Sequence, residues 1–245
     1  MGKLALLFPG QGVRGSVHTQ MDIFTMSMVS YRTTIKSGRQ PDMVTGLSLG
    51  EFAAMVAAGI LDSHGAEFLV LKRQVLMDKA CERTRGWMVA ITGPREPLET
   101  IVARMNDVVV IAGYNSPRQH IISGRVQAIQ VLLSTLRAEA TGYHATTLNV
   151  SGAFHSLLMA EANAEFGPHI ADANFRSPKV PFYSSVTGDR LTDPAAIRAA
   201  IRCQMTCPVH WEHAVRAMLR DGMTDYVEME PAGVLSRLVE QIRNG

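Results

Sequence analysis

The stretch from Asp42 to Glu51 restricts the possible folds of this chain more than any other part of its sequence. Met43 to Thr45 are apolar or β-branched, as in a buried strand, whereas the residues after Gly50 have the composition of a helix. Between them lies the pattern G-x-S-x-G, whose glycines allow a sharp turn that pushes Ser48 outward. The hydroxyl would lie at a helix N-terminus, where partial positive charge favours an oxyanion. The pattern predicts an α/β fold in which Ser48 is either a nucleophile or part of an ordinary turn.

The first strand is predicted at residues 4–8, a continuous apolar run. Pro9-Gly10-Gln11-Gly12 ends this strand and predicts a loop. Glycine-rich loops after a first strand also occur in dinucleotide-binding proteins, but no third glycine completes that fingerprint here. The alternative is that the backbone N–H groups of Gln11 and Gly12 face a ligand oxygen. An amphipathic helix over 23–35 leads from this loop to the Ser48 strand.

The middle of the chain follows a different pattern. Its elements are predicted in the order β-α-β-β-α-β, that of a ferredoxin-like domain inserted into a larger α/β unit. Its strands are predicted at 87–91, 108–112, 120–123 and 143–150, and its helices at 97–105 and 126–138. Residues 1–85 and 151–245 would form the large domain and residues 86–150 the small one. Beyond the small domain, helices are predicted at 155–165, 195–201, 211–219 and from 234, with strands at 180–184 and 224–229.

Composition excludes several classes of function. Of the 245 residues, 47% are hydrophobic and 19% charged, which is typical of a globular protein. The net charge of +2 does not give the strongly positive electrostatic field of a nucleic-acid-binding protein. No apolar run reaches the length of about 18 residues that a membrane span needs, and the apolar N-terminal run is too short for a signal peptide. Cys81, Cys203 and Cys207 form no C-x-x-C pair and predict neither a disulfide framework nor a zinc site. We expect a cytoplasmic protein without a nucleic-acid or membrane partner.

A nucleophilic serine needs a general base, and the chain holds eight histidines. His155 stands out because it lies in a turn-like stretch, Val150 to Ser156, that ends a predicted strand and opens a predicted helix. In α/β folds functional groups gather at the ends of strands. An α/β-hydrolase would place an acidic residue between the serine and a late histidine, and no convincing acid stands there.

Eight motifs occur in an order that resembles a known family. They are Phe8-Pro9-Gly10-Gln11-Gly12, Gly46-Leu47-Ser48-Leu49-Gly50-Glu51, Arg73, Asn115-Ser116-Pro117, Gly152-Ala153-Phe154-His155-Ser156, Val186-Thr187-Gly188, Gln204-Met205-Thr206-Cys207-Pro208-Val209 and Glu230-Pro231. The series is similar to that of malonyl-CoA:acyl-carrier-protein transacylases and of the acyltransferase domains of polyketide synthases. The resemblance covers nearly the whole chain. It implies a parallel-sheet α/β-hydrolase-like large domain with the inserted ferredoxin-like small domain.

The resemblance implies that Ser48 attacks the thioester of malonyl-CoA while His155 acts as general base. The backbone N–H groups of Gln11 and Leu49 would stabilise the oxyanion. The backbone carbonyl of Gln204 would orient the histidine in place of an acid. The malonyl group would then pass to the phosphopantetheine thiol of an acyl carrier protein, without a bound cofactor or metal.

The resemblance also implies how the acyl group is selected. Arg73 would bind the malonyl carboxylate through a bidentate pair. Leu47, Phe154, Gln20 and Asn115 would form the pocket, in which the phenyl ring of Phe154 would crowd the α-methyl of methylmalonyl. The family usually has histidine where this chain has Leu47. Leucine there resembles stand-alone acyltransferases that serve modular polyketide synthases, so such a synthase is a further expected partner.

Besides Leu47, the chain departs from the family pattern at three places. Only 36 residues separate Gln11 from Ser48, where the family has further helices, so we expect exposed apolar surface, burial against a partner or lower stability. Gly113 and Ser185 replace the usual asparagines, which predicts weaker hydrogen bonding near the site. Two rival functions stay open: a thioester hydrolase acting on acyl carrier proteins, and a catalytically silent scaffold that binds a carrier or a synthase.

Carrier proteins are acidic around their modified serine, which predicts a basic docking surface on this chain. The candidates beside the cleft are Lys72, Arg118, Arg125 and Arg137. Each of them is also compatible with an ordinary solvated surface.

Overall fold

The computed structural model describes residues 2–12, 18–105 and 108–245. The strands are β1 (Lys3–Phe8), β2 (Met43–Gly46), β3 (Gly86–Thr92), β4 (Val109–Ser116), β5 (Gln119–Arg125), β6 (His144–Thr147), β7 (Phe182–Tyr183), β8 (Arg190–Leu191) and β9 (Met223–Glu228). The helices are α1 (Gln20–Lys36), α2 (Gly50–Ala57), α3 (Ser63–Arg83), α4 (Arg95–Ala103), α5 (Val126–Glu139), α6 (Ala160–Asp172), α7 (Pro194–Cys203), α8 (Trp211–Arg220) and α9 (Leu235–Asn244). The strands form two sheets, of order β8-β7-β2-β1-β9 and β4-β5-β3-β6.

In the first sheet β1 runs parallel to both of its neighbours, β2 and β9. Side chains alternate across a strand, so Leu6 and Phe8 face one side of the sheet while Ala5 and Leu7 face the other. All four are fully buried, because α1, α2, α3, α6 and α7 cover the first side and α8 and α9 the second. A parallel sheet covered on both faces is the α/β class that the sequence predicts.

The second sheet is antiparallel in all its pairs. The helices α4 and α5 cover one of its faces, where Val89 and Ile122 are buried against Leu132. The opposite face, which includes Met88 and Ile121, looks across a cleft towards the first sheet. The chain order of this part is β-α-β-β-α-β, as the sequence predicts.

Hydrogen bonds and an ion pair hold the second sheet, with α4, against α8 and the segment before it. The Tyr114 N–H donates to the Val209 carbonyl (2.7 Å), and the Val209 N–H donates to the Ala112 carbonyl (2.9 Å). The Arg95 guanidinium, on α4, pairs with the Glu212 carboxylate on α8. The second sheet is therefore tied to the segment that precedes α8.

The loops after β1 and β2 leave the first sheet at the same edge. Phe8 pairs with Gly46 at the carboxyl ends of the two strands. Functional groups of parallel sheets gather at this edge because successive strand ends meet there. Gln11 and Ser48 follow these ends and both line the cleft.

The predicted helix over 155–165 is wrong at its start. α6 begins at Ala160, and a 3₁₀ turn over Leu157–Met159 precedes it. His155 has a φ of 57°, outside the right-handed helical region. The Ser156 hydroxyl caps the 3₁₀ turn by accepting from the Leu158 N–H (3.3 Å). His155 therefore lies in a loop.

Two strands are shorter than predicted and one was not predicted. The strand expected at 180–184 is reduced to Phe182–Tyr183, beside a proline at 181 that has no N–H to donate. The strand expected to reach residue 150 ends at Thr147. β8 pairs only two residues with β7, which is too short for a periodic pattern to appear in the sequence.

Apolar side chains are exposed on α1 and α3, which pack against each other. They are Val29, Phe68, Leu71 and Val75, the first of which is 57% exposed. Exposed apolar surface is what the short connection between Gln11 and Ser48 predicts; residues 13–17 of that connection lie outside the described residues. Across the described chain, no helix combines the length and the apolar content needed to cross a bilayer.

Candidate active site

Ser48 lies on a turn between β2 and α2 that requires glycine on both sides. Its φ is 53°, in the left-handed region that residues with a side chain rarely adopt. A Cβ on Gly46 would lie 2.1 Å from the backbone of Gly50, and a Cβ on Gly50 would lie 2.0 Å from the carbonyl oxygen of Phe8. The glycines therefore have no substitute, and the turn presents Ser48 to the cleft.

The imidazole of His155 contacts the Ser48 hydroxyl, with 2.8 Å between Nε2 and Oγ. On the other side of the ring, Nδ1 lies 2.8 Å from the Gln204 carbonyl oxygen and 3.0 Å from that of Cys207. Carbonyl oxygens only accept hydrogen bonds, so Nδ1 carries the proton and Nε2 presents its lone pair to the serine. In this tautomer the imidazole can accept the proton of Ser48.

The environment of His155 keeps the imidazole neutral. Its side chain is buried, and the residue is only 6% exposed. Burial and the nearby Arg73 guanidinium lower the pKa of His155 to about 4, against the opposing effect of the two carbonyls. At pH 7 the ring is therefore unprotonated, which is the state that a general base requires.

A buried arginine completes the group around the serine. Arg73, on α3, is 1% exposed. Its Nη2 donates to Ser48 Oγ (3.1 Å), its Nη1 to Gln20 Oε1 (2.6 Å) and its Nε to Gln204 Oε1 (3.1 Å). Burial lowers the pKa of Arg73 to about 10, so the guanidinium stays charged at pH 7. Three of its five N–H groups make these bonds, which leaves one N–H on each terminal nitrogen without a partner among the described residues.

Glu51, near the start of α2, lies beneath this group and is fully buried. Its carboxylate accepts hydrogen bonds from the Ser184 hydroxyl (2.7 Å), the Ser185 N–H (2.8 Å) and the side-chain amide of Gln204. The same amide donates to the Ser48 carbonyl (3.0 Å). Burial raises the pKa of the Glu51 carboxyl, and these hydrogen bonds oppose the rise. Gln204 thus couples the buried carboxylate to the serine turn.

Sequence reasoning missed this network. Gln204 was expected to act through its backbone carbonyl alone, and the side chain proves to bridge Arg73 and Glu51. Glu51 carries no signal of burial in the sequence, because an acidic residue in the first turn of a helix is ordinarily an exposed partner of the helix dipole. The Cys207 carbonyl carries none, because a backbone contact is independent of residue type. Ser185, expected to weaken hydrogen bonding, accepts from the Ser48 N–H (3.3 Å).

The two residues predicted to stabilise an oxyanion lie at the serine end of the cleft. Gln11 lines it, and Leu49 is the N-cap residue of α2, directly after Ser48. Within the described parts of the chain, neither backbone N–H donates to another residue. Neither N–H is therefore committed to an acceptor in the described ranges, and of the two residues only Gln11 lines the cleft.

The cleft has a volume of about 340 Å³. Three of the four residues predicted to form the pocket, Leu47, Phe154 and Asn115, line it. Neither Gln20 nor Arg73 lines it; the Gln20 side chain contacts the Arg73 guanidinium, and its Nε2 lies 3.4 Å from the sulfur of Met77. As far as the structure describes the chain, no cluster of three or more His, Cys, Asp or Glu side chains could hold a metal ion.

Nearly the whole chain is similar to proteins of one known family. Residues 5–244 match the family model described as "Acyl transferase domain". The chain is 34% identical over 234 residues to malonyl CoA-acyl carrier protein transacylase of Bacillus subtilis, an alignment that covers 94% of this chain and 58% of that protein. It is 32% identical to the polyketide biosynthesis malonyl CoA-acyl carrier protein transacylase BaeC of Bacillus velezensis, over 100% of this chain and 84% of that protein. The crystal structure of malonyl-CoA:acyl carrier protein transacylase from Xanthomonas oryzae aligns with a TM-score of 0.91 and 28% identity, over 100% of this chain and 92% of that chain.

Proposed function

The chain belongs to the acyl transferase domain family, and from this membership we propose that it transfers a malonyl group from malonyl-CoA to the phosphopantetheine thiol of an acyl carrier protein. The contact of Ser48 with both His155 and Arg73 carries the proposal, because it places a nucleophile, a base and a fixed cation at one point.

In the first half-reaction Ser48 Oγ attacks the thioester carbonyl while His155 Nε2 takes up the hydroxyl proton. The carbonyl oxygen becomes an oxyanion, which the N–H groups of Gln11 and Leu49 stabilise. The carbon–sulfur bond then breaks, and His155 returns the proton to the sulfur of CoA. In the second half-reaction the carrier thiol attacks malonyl-Ser48 and these steps run in reverse.

Arg73 selects an acyl group that bears a carboxylate. The Glu51 carboxylate acts on Arg73 through space, but the three groups that the guanidinium contacts directly are all neutral oxygens. A malonyl carboxylate would accept the remaining N–H groups and supply a negative charge in direct contact. Phe154 and Leu47 would limit the space beside it.

These contacts weigh against the two rival functions. A hydrolase acting on simple acyl groups offers nothing to the Arg73 charge. A silent scaffold has no need of a neutral imidazole held 2.8 Å from a serine in a left-handed turn. Transfer to a carrier protein is therefore favoured.

The proposal includes the organisation of the chain. Residues 1–85 and 151–245 would form the α/β-hydrolase-like domain, and residues 86–150 the ferredoxin-like domain, as the separate sheets support.

The proposal also covers the location and the partners of the enzyme. The three cysteines are free thiols, which supports a cytoplasmic enzyme. A polyketide synthase as partner is supported by Leu47. Lys72, Arg118, Arg125 and Arg137 remain candidates for contact with the carrier.

The pH dependence of kcat/KM tests the base. We expect its acid limb near pH 4, because kcat/KM reports the free enzyme and the pKa of His155 is about 4 there.

The free energy of unfolding has its own pH dependence. Unfolded His155 regains its ordinary pKa of 6.5, so the unfolded state binds the proton first, and the free energy of unfolding declines as the pH falls from 6.5 towards 4. Buried His120, whose pKa is also about 4, acts in the same direction.

Quenched-flow assays after a brief exposure to each pH measure the pH profile of kcat/KM. Circular dichroism at the same pH records the folded fraction, which separates loss of structure from loss of the base. An acid limb centred near pH 6.5 in fully folded protein would show that His155 is not the neutral base described.

A labelled substrate separates transfer from hydrolysis. Malonyl-CoA carrying radioactivity in the malonyl group is mixed with the protein and a phosphopantetheinylated carrier. We expect the label on the carrier, with the free acid formed much more slowly. Release of free malonate at the same rate with or without carrier would support the hydrolase instead.

A further inference from the structure

Arg237 stands apart from the other residues that line the cleft because of its charge. Of the described residues that line it, Arg237 is the only lysine, arginine, aspartate or glutamate. It lies on α9, exposed, on the helix face that also brings Val234, Leu238 and Gln241 to the cleft. The other lining side chains are apolar, hydroxyl or amide groups together with His155.

The guanidinium of Arg237 is positioned but not neutralised. Its Nε donates to the Gly233 carbonyl (2.6 Å), one helical turn earlier. In the described ranges no carboxylate lies within salt-bridge distance of it, and its terminal nitrogens donate to no other residue. Arg243, on the same helix, differs in lying 3.5 Å from the Glu240 carboxylate and stacking over the Tyr226 ring.

The N-terminus of α9 also borders the cleft, and it is a competing place for an anion. Its backbone N–H groups at Val234, Leu235 and Ser236 all donate to the carboxylate of Glu228, at distances of 2.8–3.0 Å. That end of the helix is therefore already occupied by an acidic side chain. For an anion that lies in the cleft away from Ser48 and Arg73, Arg237 is therefore the cationic partner among the lining residues.

We propose that Arg237 binds the phosphate at the far end of the pantetheine arm while the thioester lies at Ser48. The inference rests on the proposed function. The pantetheine part of the phosphopantetheine arm is neutral, with amide and apolar groups that suit the rest of the lining, and the phosphate is attached at the end away from the thiol. The same chemistry is present in two substrates, the diphosphate of CoA and the phosphodiester of the carrier. A guanidinium recognises either through paired hydrogen bonds.

Calorimetric titration with CoA tests the proposal without any chemistry at Ser48. Replacing Arg237 with glutamine should raise the Kd for CoA by about fivefold or more, as expected for a partly exposed charge-assisted contact. The Kd for pantetheine, which lacks phosphate, should stay the same, and Arg237→Lys should recover part of the affinity. Arg32→Gln, a substitution of an exposed arginine on α1, is the matched control and should leave both values unchanged. Equal CoA affinity in wild type and Arg237→Gln would overturn the proposal for the donor.

Transfer of the malonyl group from the acylated protein tests whether Arg237 also binds the phosphodiester of the carrier. Transfer from malonyl-Ser48 to a holo carrier is compared with transfer to free pantetheine. If Arg237→Gln slows transfer to the carrier but not to pantetheine, the contact is assigned to the phosphodiester of the carrier. If the variant has neither slower transfer nor weaker CoA binding, the proposal is wrong. Loss of CoA affinity in a protein that forms no malonyl adduct would instead retain the phosphate contact and reject the proposed function.

Discussion

Replacing His155 with alanine should lower kcat/KM for malonyl-CoA by at least about 10³-fold. The imidazole provides the only proton acceptor seen at Ser48 Oγ among the described residues, and in the proposed mechanism it would return that proton to the leaving thiol. Its loss leaves the neighbouring Arg73 cation, which cannot accept a proton. Single-turnover acylation measured by quenched flow gives the rate directly.

A matched variant controls for the loss of any imidazole. His144 lies exposed on β6, so His144→Ala should keep the wild-type rate. Circular dichroism and thermal unfolding establish that His155→Ala is folded. A decrease of less than about tenfold in the folded variant would show that His155 is not the general base.

Replacing Arg73 should abolish the preference for malonyl over acetyl donors. Under the proposed function, the two remaining N–H groups of the buried guanidinium would bind a carboxylate that acetyl lacks. We expect the ratio of kcat/KM for malonyl-CoA to that for acetyl-CoA to fall by about 10- to 100-fold in Arg73→Ala, the range of a charged hydrogen-bonded contact.

The ratio is the appropriate measurement because Arg73→Ala also leaves the amide oxygens of Gln20 and Gln204 without their donor. Partial unfolding lowers both values of kcat/KM equally and cancels in the ratio. Arg73→Lys keeps a charge without the planar fork and should fall between wild type and alanine. An unchanged ratio in Arg73→Ala would remove this residue from acyl selection.

The sequence predicts the serine turn because its cause is local. Gly46 and Gly50 are needed by contacts within a few residues and with the neighbouring strand, and the G-x-S-x-G spacing reports both. The α/β class follows in the same way from the apolar runs of β1 and β2. Arg73 is different, since a mid-helix arginine is as often solvated as buried, and only the resemblance to the family pointed to its role.

Interactions between distant parts of the chain account for what could not be predicted. Glu51 and Gln204 are 153 residues apart, so their hydrogen bond has no pattern in the sequence. Gln20 is predicted to form part of the pocket, but in the structure its side chain contacts Arg73, because α1 packs against α3. The start of α6 was predicted too early because Ser156 caps a 3₁₀ turn through a side-chain contact that composition does not distinguish from a helix start.

The central claim is that Ser48 becomes covalently acylated. Mass spectrometry of the intact protein after mixing with malonyl-CoA tests it most directly. We expect one malonyl group on the wild-type protein, located to the peptide that contains Ser48, and none on Ser48→Ala under the same conditions. A wild-type protein that stays unmodified, or a Ser48→Ala protein that acquires the same adduct, would contradict the account.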